Sequence, residues 1–313
     1  MQRFLKEFEF EILVMRNVFC VLGFVFFGFL ISCAPAKQVV VVVNYGQQAE
    51  ADFNAGNFEA SLTGYENAMA ANKSKGAPID GIIYRNAGLS AIELKQTSKA
   101  IEYLEVAKYT PAVDAETWAG LAKCYREIDN LSKEMTAIEN YLENHPEGKE
   151  VSAFRVRLFE LYVESENWPM AFDFWPPIAE TAGTQLKLLN DYFKVNRKLG
   201  NDQNCDELAP KMLQLDDKNL VALEWQAKKY YWKAEDFYQA EMKAYENNKT
   251  NKQYLKLLES LKLTTADFKI SLGYFERLYA ISPKPDFANY IGNIYARFDD
   301  KKNAEFYHEK GKK

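Results

Sequence analysis

The feature that most constrains the fold of this chain is an internal repeat. Three windows share it: NYGQQAEADFNAGNFEASLTGYENAMA from Asn44, YRNAGLSAIELKQTSKAIEYLEVAK from Tyr84 and WAGLAKCYREIDNLSKEMTAIENYLENHP from Trp118. Each gives an aromatic residue, a small residue, a short turn and a second segment in which small and large apolar residues alternate. This pattern predicts two antiparallel helices whose backbones approach closely where Ala or Gly lies at the crossing. One such unit cannot bury its apolar stripe, so we expect neighbouring units to stack.

The three windows resemble the tetratricopeptide repeat (TPR), whose pattern is W-x2-L-G-x2-Y, then A-x3-F, then P. The third copy matches the pattern most closely, and the first copy matches it poorly in its first helix. The matching residues are Trp118, Leu121, Ala122, Tyr125, Ile138, Tyr141 and Pro146 in the third copy, Tyr84, Ala87, Gly88, Ala91, Ala100, Leu104, Ala107 and Pro111 in the second, and Ala49, Gly56, Phe58, Tyr65 and Ala68 in the first. The resemblance implies an all-α fold, a TPR α-solenoid in the form of a right-handed superhelix of about eight antiparallel helix pairs.

The same register predicts where the paired helices turn, at intervals close to the ~34 residues of the family. The predicted turns lie near residues 56, 95, 129, 166, 200, 235, 266 and 299. The resemblance covers residues 44–311 and is degenerate in the middle. Trp168-Pro169 predicts the start of a helix, because proline at the first position gives up only a free amide. Pro176-Pro177 predicts that this helix ends or bends after Trp175.

The N-terminal region carries a different signal. Residues 18–31 contain no charged or strongly polar side chain, and a run of about 14 residues suits a signal-peptide core, whereas a membrane span needs about 20. The following sequence, LISC, resembles the lipobox of bacterial lipoproteins, which implies that Cys33 carries a lipid and becomes the first mature residue. Met15 fits a true start better than Met1, because glutamates precede the apolar core. The alternative is an uncleaved anchor over residues 12–31.

These signals predict three segments: a signal peptide at 1–32, a lipidated cysteine and tether at 33–43, and the solenoid at 44–313. The tether contains five consecutive valines, Val39 to Val43. Because β-branched residues resist helix, we expect an extended tether or a strand that meets a partner. Equally, the last valines could cover the apolar face of the first helix pair.

Composition and motifs exclude several functions. The chain has 39 basic and 44 acidic side chains and a net charge of −5, which argues against nucleic acid as the main partner. Cys124 and Cys205 are expected to be buried and unpaired. His145 and His308 have no metal-ligand spacing, and no phosphate loop or nucleophile elbow is present. The sequence therefore predicts neither an enzyme nor a bound cofactor or metal.

In the TPR family the first helix of each pair lines a concave surface that commonly holds a partner peptide. In the fifth and sixth pairs these helices carry a basic and aromatic set at spacings of three, four and seven. The predicted groove residues are Lys187, Asn190, Lys194, Arg197, Lys198, Trp225, Lys229, Trp232 and Lys233. The cations would attract carboxylates, and the tryptophans would supply apolar contact area. The alternative is that both tryptophans pack against adjacent repeats and the lysines are ordinary surface.

The sequence predicts a lipid-anchored cell-envelope scaffold for protein-protein interaction. It is similar to the repeat lipoproteins of the Bacteroidota that support envelope assembly or secretion complexes. The residue after Cys33 is Ala34, not the Asp that retains lipoproteins in the inner membrane of some bacteria. This favours the outer membrane, facing the periplasm. The alternative is a periplasmic binding lipoprotein that captures a peptide or glycan, with Trp225 and Trp232 stacked on it.

Overall fold

The computed structural model describes residues 37–312, of which 37–44 are described by their backbone only. Within that range the regular structure consists of 15 α-helices and a short 3-10 turn, with no strand. None of these helices is long and apolar enough to cross a membrane. The predicted signal peptide at 1–32 and the predicted lipidation at Cys33 lie outside the described residues. The predicted all-α fold is confirmed.

The chain divides into two compact units, the first ending at Asp129 and the second beginning at Asn130. The first unit contains five described helices, each of which packs mainly on its neighbours in sequence. They are α1 (Lys37–Asn54), α2 (Phe58–Ser74), α3 (Gly81–Glu93), α4 (Thr97–Ala107) and α5 (Ala115–Glu127). Sequential stacking of short helical hairpins is the arrangement of an α-solenoid.

Small side chains at the helix crossings bring the backbones of the first unit together. A Cβ atom added at Gly88 of α3 would lie only 2.6 Å from Leu104 Cγ of α4, so a larger residue would force the two helices apart. Most of the buried core belongs to the small and aromatic positions of the repeat pattern. This core contains Ala49, Leu62, Tyr65, Ala87, Ala91, Ala100 and Cys124.

The second unit contains ten helices, which also pack mainly on their sequence neighbours. They are α6 (Leu131–Asn144), α7 (Val151–Glu164), α8 (Trp168–Asp173), α9 (Ala179–Ala182), α10 (Leu186–Leu199), α11 (Asp202–Leu215), α12 (Leu220–Asn247), α13 (Asn251–Ile281), α14 (Pro285–Arg297) and α15 (Lys301–Gly311). Tyr231, Phe268, Phe275 and Ile291 are buried together where α12, α13 and α14 meet.

The turns near residues 56, 95, 129, 166, 200 and 299 are confirmed, and each contains a residue in the left-handed conformation. These residues are Gly56, Lys95, Asp129, Glu166, Gly200 and Asp299, with φ between 53° and 76°. A left-handed residue after the last helical turn ends one helix and redirects the chain into the next. The helices therefore begin and end in the register that the sequence predicts at these positions.

The predicted turns near residues 235 and 266 are wrong. The first position lies inside α12 and the second inside α13, and the chain reverses instead just before Thr250, whose Oγ1 accepts from the Gln253 amide at 3.3 Å. The segments KAEDFYQAEMKAYE and TTADFK contain no Gly or Pro, so nothing in them stops a helix. Two predicted copies are thus one long hairpin, and the predicted number of helix pairs is one too many.

The expectation of an extended conformation for Val39 to Val43 is also wrong, because α1 begins at Lys37 and includes them. β-Branched residues lose only a few tenths of a kcal/mol in a helix. An isolated extended segment gains no backbone hydrogen bonds, whereas continuing α1 supplies one per residue.

The proline signals act as expected. The helix α8 begins at Trp168, with proline in its first turn. It ends at Asp173, before Trp175, and a 3-10 turn over Pro176–Ile178 leads into the short α9.

Candidate functional site

Arg197 of α10 and Trp225 of α12 form the closest cation-aromatic contact among the predicted groove residues. Arg197 Cζ lies 4.5 Å from the centroid of the Trp225 ring. The ring packs edge-on against Phe193, with centroids 5.7 Å apart, and its Nε1 donates to Asp206 Oδ1 at 2.9 Å. Trp225 is thus packed against neighbouring helices while one of its faces holds a cation, an arrangement that the quadrupole of the ring stabilises.

Trp168 at the start of α8 holds the next two cations of α10. Lys194 Nζ lies 5.1 Å and Lys198 Nζ 5.8 Å from the centroid of the Trp168 ring. The two lysines are one helical turn apart, so both reach the same ring. The sequence does not predict Trp168 as a functional residue, because the Trp168-Pro169 pair indicates only the start of a helix. The signal that could have found it is an aromatic residue beside the i, i+4 lysine pair of the following helix.

The other predicted lysines have carboxylate partners within the second unit. Such ion pairs cancel most of the local charge, so these lysines offer little attraction to an acidic partner. The pairs are Lys187 with Glu160 and Asp191, Lys229 with Asp206, and Lys233 with Asp267. Lys187 is 71% exposed at its side chain, so its pairing lies at the surface.

Lys194, Arg197 and Lys198 differ from those lysines, because none of them forms an ion pair within the described part of the chain. Their positive charges are held instead on tryptophan rings. We call this group the tryptophan–cation patch: Trp168, Lys194, Arg197, Lys198 and Trp225. It is a narrower surface than the predicted groove, and it contains four of the nine predicted groove residues.

Asn190 and Trp232 lie outside the patch. The Asn190 amide donates to the Leu186 carbonyl at 2.9 Å and accepts from Asn219 Nδ2 at 3.2 Å. It therefore joins α10 to the start of α12. Trp232 is 49% exposed and meets Tyr231 and Tyr290 edge-on.

An ion pair between Arg157 of α7 and Glu134 of α6 fastens these two helices together. Arg157 Nε lies 2.8 Å from Glu134 Oε1, and its Nη2 lies 2.9 Å from Glu134 Oε2. The Glu134 side chain is only 1% exposed. Its hydrogen bonds raise the pKa of the Arg157 guanidinium still further, so the guanidinium stays charged. This pair has a structural role, because it joins α6 to α7 and its carboxylate is buried.

The first unit contains an open cavity of about 340 Å³ between α1, α2 and α3. Its wall includes the buried side chains of Tyr65, Asn72 and Asn86 together with the carboxylates of Glu50 and Asp80. Asn86 Nδ2 donates to the Tyr65 hydroxyl at 3.0 Å. Sequence reasoning identified Tyr65 only as a packing position and did not single out the asparagines.

The described residues include two cysteines and two histidines, whose surroundings bear on metal binding and nucleophilic chemistry. They contain no group of three His, Cys, Asp or Glu side chains that could hold a metal ion. Cys124 and Cys205 are buried and free, as predicted. Burial raises the pKa of each thiol to about 11, so neither forms a nucleophilic thiolate at neutral pH. His308 Nε2 lies 3.0 Å from Asn293 Oδ1.

No family model and no curated protein matches this chain. Among solved structures, the chain is similar to a tetratricopeptide repeat protein from Parabacteroides merdae, with 13% identity, coverage of 87% of this chain and 92% of that one, and a TM-score of 0.40. It is also similar to a protein from Bacteroides ovatus, with 18% identity, coverage of 71% of this chain and 100% of that one, and a TM-score of 0.47.

A third similar structure is YrrB, described as a TPR protein with an unusual peptide-binding site. The identity is 14%, the coverage is 59% of this chain and 90% of that one, and the TM-score is 0.43. The α-solenoid arrangement of each unit rests on the hairpins, turns and close helix crossings of this chain itself.

Proposed function

We propose that this protein is a protein-protein interaction scaffold and that its tryptophan–cation patch binds an acidic segment of a partner polypeptide. The observation that carries the proposal is the state of the three cations on α10. Lys194, Arg197 and Lys198 lie over tryptophan rings, and none of them forms an ion pair with a carboxylate of the described chain.

The chemistry of the patch favours carboxylates. A guanidinium held flat on an aromatic ring keeps its in-plane N–H donors free for a carboxylate, while the ring supplies desolvated apolar area. Tryptophan and arginine are the residue types most enriched at the centres of protein interfaces. The chain as a whole is acidic, with a net charge of −5, so a local positive surface gives an acidic partner one preferred place to bind.

We further propose that a lipid on Cys33 holds this scaffold at the cell envelope, at the outer membrane facing the periplasm, where it supports an assembly or secretion complex. The support for this step is the sequence LISC after an apolar run of signal-peptide length. A tethered docking surface raises the effective concentration of its partners at the membrane.

Peptide binding to the full chain in detergent tests the patch. The probe is a fluorescein-labelled peptide of alternating Glu and Leu, compared with the same peptide carrying Gln in place of Glu. We expect the double variant Lys194→Glu/Arg197→Glu to weaken binding of the Glu peptide by about tenfold or more. Lys211→Glu, which reverses an exposed lysine of α11, should leave binding unchanged. Equal affinities for the Glu and Gln peptides would refute an acidic partner at this site.

Capture of a glycan is the second candidate, and the exposed ring of Trp232 favours it. Trp225 contributes less to this function than the sequence predicts, because Arg197 covers one of its faces. Titration with chitotriose, followed by tryptophan fluorescence, distinguishes the candidates. A saturable change that disappears in Trp232→Phe would support glycan capture, and no change up to millimolar sugar would reject it for this oligosaccharide.

A further inference from the structure

The wall of the cavity in the first unit includes the side-chain amide of Asn72. Asn72 is only 7% exposed, and its side chain makes no hydrogen bond to any described residue. Its backbone carbonyl, by contrast, accepts from the amides of Lys75 and Ala77 at the end of α2. Its amide atoms are not fully enclosed, because the fully enclosed side-chain atom without a partner among the described residues is Arg85 Nε. A ligand that enters the cavity can therefore form hydrogen bonds with the Asn72 amide.

The Tyr65 hydroxyl has a second unused capacity in the same cavity. It accepts from Asn86 Nδ2, while Asn86 Oδ1 accepts from Arg85 Nη1 at 2.7 Å. The second bond fixes which end of the Asn86 amide faces the tyrosine. The hydroxyl proton of Tyr65 therefore has no acceptor among the described residues. Burial raises the pKa of Tyr65, so the hydroxyl remains a donor at neutral pH.

The charge of the cavity wall is negative. Glu50 and Asp80 line it, and no lysine or arginine does so in the part of the chain that is described. Asp80 Oδ1 accepts from the Ile82 amide at the start of α3 at 3.1 Å. The nearby guanidinium of Arg85 lies behind the wall, where it pairs with Asp114 and Glu116 and donates to Asn86.

The remaining wall is apolar and comes from Ile82 and Ile83. A cavity of about 340 Å³ lies at the small end of the range for ligand sites, which is roughly 300–1,000 Å³. A carboxylate rim, an apolar side wall and a buried amide together match a side chain with an aliphatic stem and a cationic tip on a peptide backbone.

We propose that this cavity binds a lysine side chain of a partner polypeptide. The ammonium group lies at Glu50 and Asp80, the methylene stem packs on Ile83, and the adjacent peptide group pairs with the Asn72 amide and the Tyr65 hydroxyl. The inference rests on the proposed function in one respect, that the partner is a polypeptide. It uses a different site with the opposite charge preference, so the two proposals can fail separately.

The test uses the full chain in detergent, labelled with ¹⁵N at asparagine. The probes are Nα-acetyl-lysine methylamide and Nα-acetyl-norleucine methylamide, which differ in the ammonium group. We expect the lysine probe to shift the side-chain amide signal of Asn72, which is assigned by its loss in Asn72→Leu. The norleucine probe should bind at least about fivefold more weakly. Equal binding of the two probes, or no shift of the Asn72 signal, would overturn the proposal.

Two charge-neutral variants make the test independent of Asn72. Asp80→Asn removes the charge but keeps a residue that caps α3. Glu50→Gln removes the charge of the second carboxylate in the cavity wall. Each should raise the Kd of the lysine probe by about three- to tenfold, and Glu59→Gln, at an exposed site of α2, should not. Unchanged affinity in both cavity variants would contradict the site even if Asn72→Leu failed to fold.

Binding of the Glu-Leu peptide to the same variants separates the two proposals. Retained peptide binding with lost lysine binding is the expected pattern for cavity variants. If the lysine probe fails to bind the unmodified chain while the acidic peptide binds, the cavity proposal fails and the patch proposal stands.

Discussion

At the residue scale, Asn72 and Asn86 are two buried asparagines of the first unit with opposite bonding. Asn86 bonds to both Tyr65 and Arg85, whereas Asn72 has no side-chain hydrogen bond to any described residue. Removal of a buried amide that has protein partners leaves those partners without a hydrogen bond. Removal of an amide without a protein partner leaves no other group unpaired. The two residues therefore form a matched pair for separating a structural amide from a binding amide.

We predict that Asn72→Leu increases the free energy of unfolding by about 1 kcal/mol and that Asn86→Leu decreases it by about 1–3 kcal/mol. Urea denaturation of each variant, compared with the unmodified chain, measures both values. Equal destabilisation by the two substitutions would show that Asn72 is paired in solution.

At the scale of single elements, Gly88 and Gly273 show when a helical glycine is required. The Cβ of an alanine at position 88 would collide with Leu104, because α3 and α4 cross there. At Gly273, inside α13, a Cβ would meet no atom within 4 Å.

We predict that Gly88→Ala lowers the free energy of unfolding by about 1–3 kcal/mol, because the crossing must widen. Gly273→Ala should instead raise it by about 0.5–1 kcal/mol, because alanine favours a helix and nothing opposes it. Thermal unfolding monitored by circular dichroism compares the two variants. Stabilisation by both substitutions would contradict the close crossing of α3 and α4.

The repeat pattern predicted the helical hairpins well where glycine, or a left-handed residue such as Lys95, marks a turn. The pattern was wrong in α12 and α13, because its regular spacing predicts turns in segments that contain no helix-stopping residue. The groove residues were predicted only in part, and the reason is different. Sequence spacing shows which residues share a helix face, but it does not show that Asp206 and Asp267 neutralise two of the predicted lysines or that Trp168 lies beside Lys194.

At the scale of the whole molecule, the proposed function combines an interaction surface with a proposed lipid anchor on Cys33. We predict that Cys33→Ser leaves the unprocessed protein larger than the mature form or releases it from the membrane fraction. Cys20→Ser, within the same N-terminal segment, should leave processing and fractionation unchanged. Immunoblotting of membrane and soluble fractions measures both, and membrane retention of Cys33→Ser at unchanged size would remove the lipobox interpretation.

The most direct measurement of the central claim is crosslinking in intact cells followed by purification of this protein and mass spectrometry of its partners. The chains compared are the unmodified protein, Lys194→Glu/Arg197→Glu and the matched control Lys211→Glu. The tryptophan–cation patch predicts a crosslinked partner that the unmodified and control chains share and that the double variant loses. The same partners at the same yields in all three chains would contradict it.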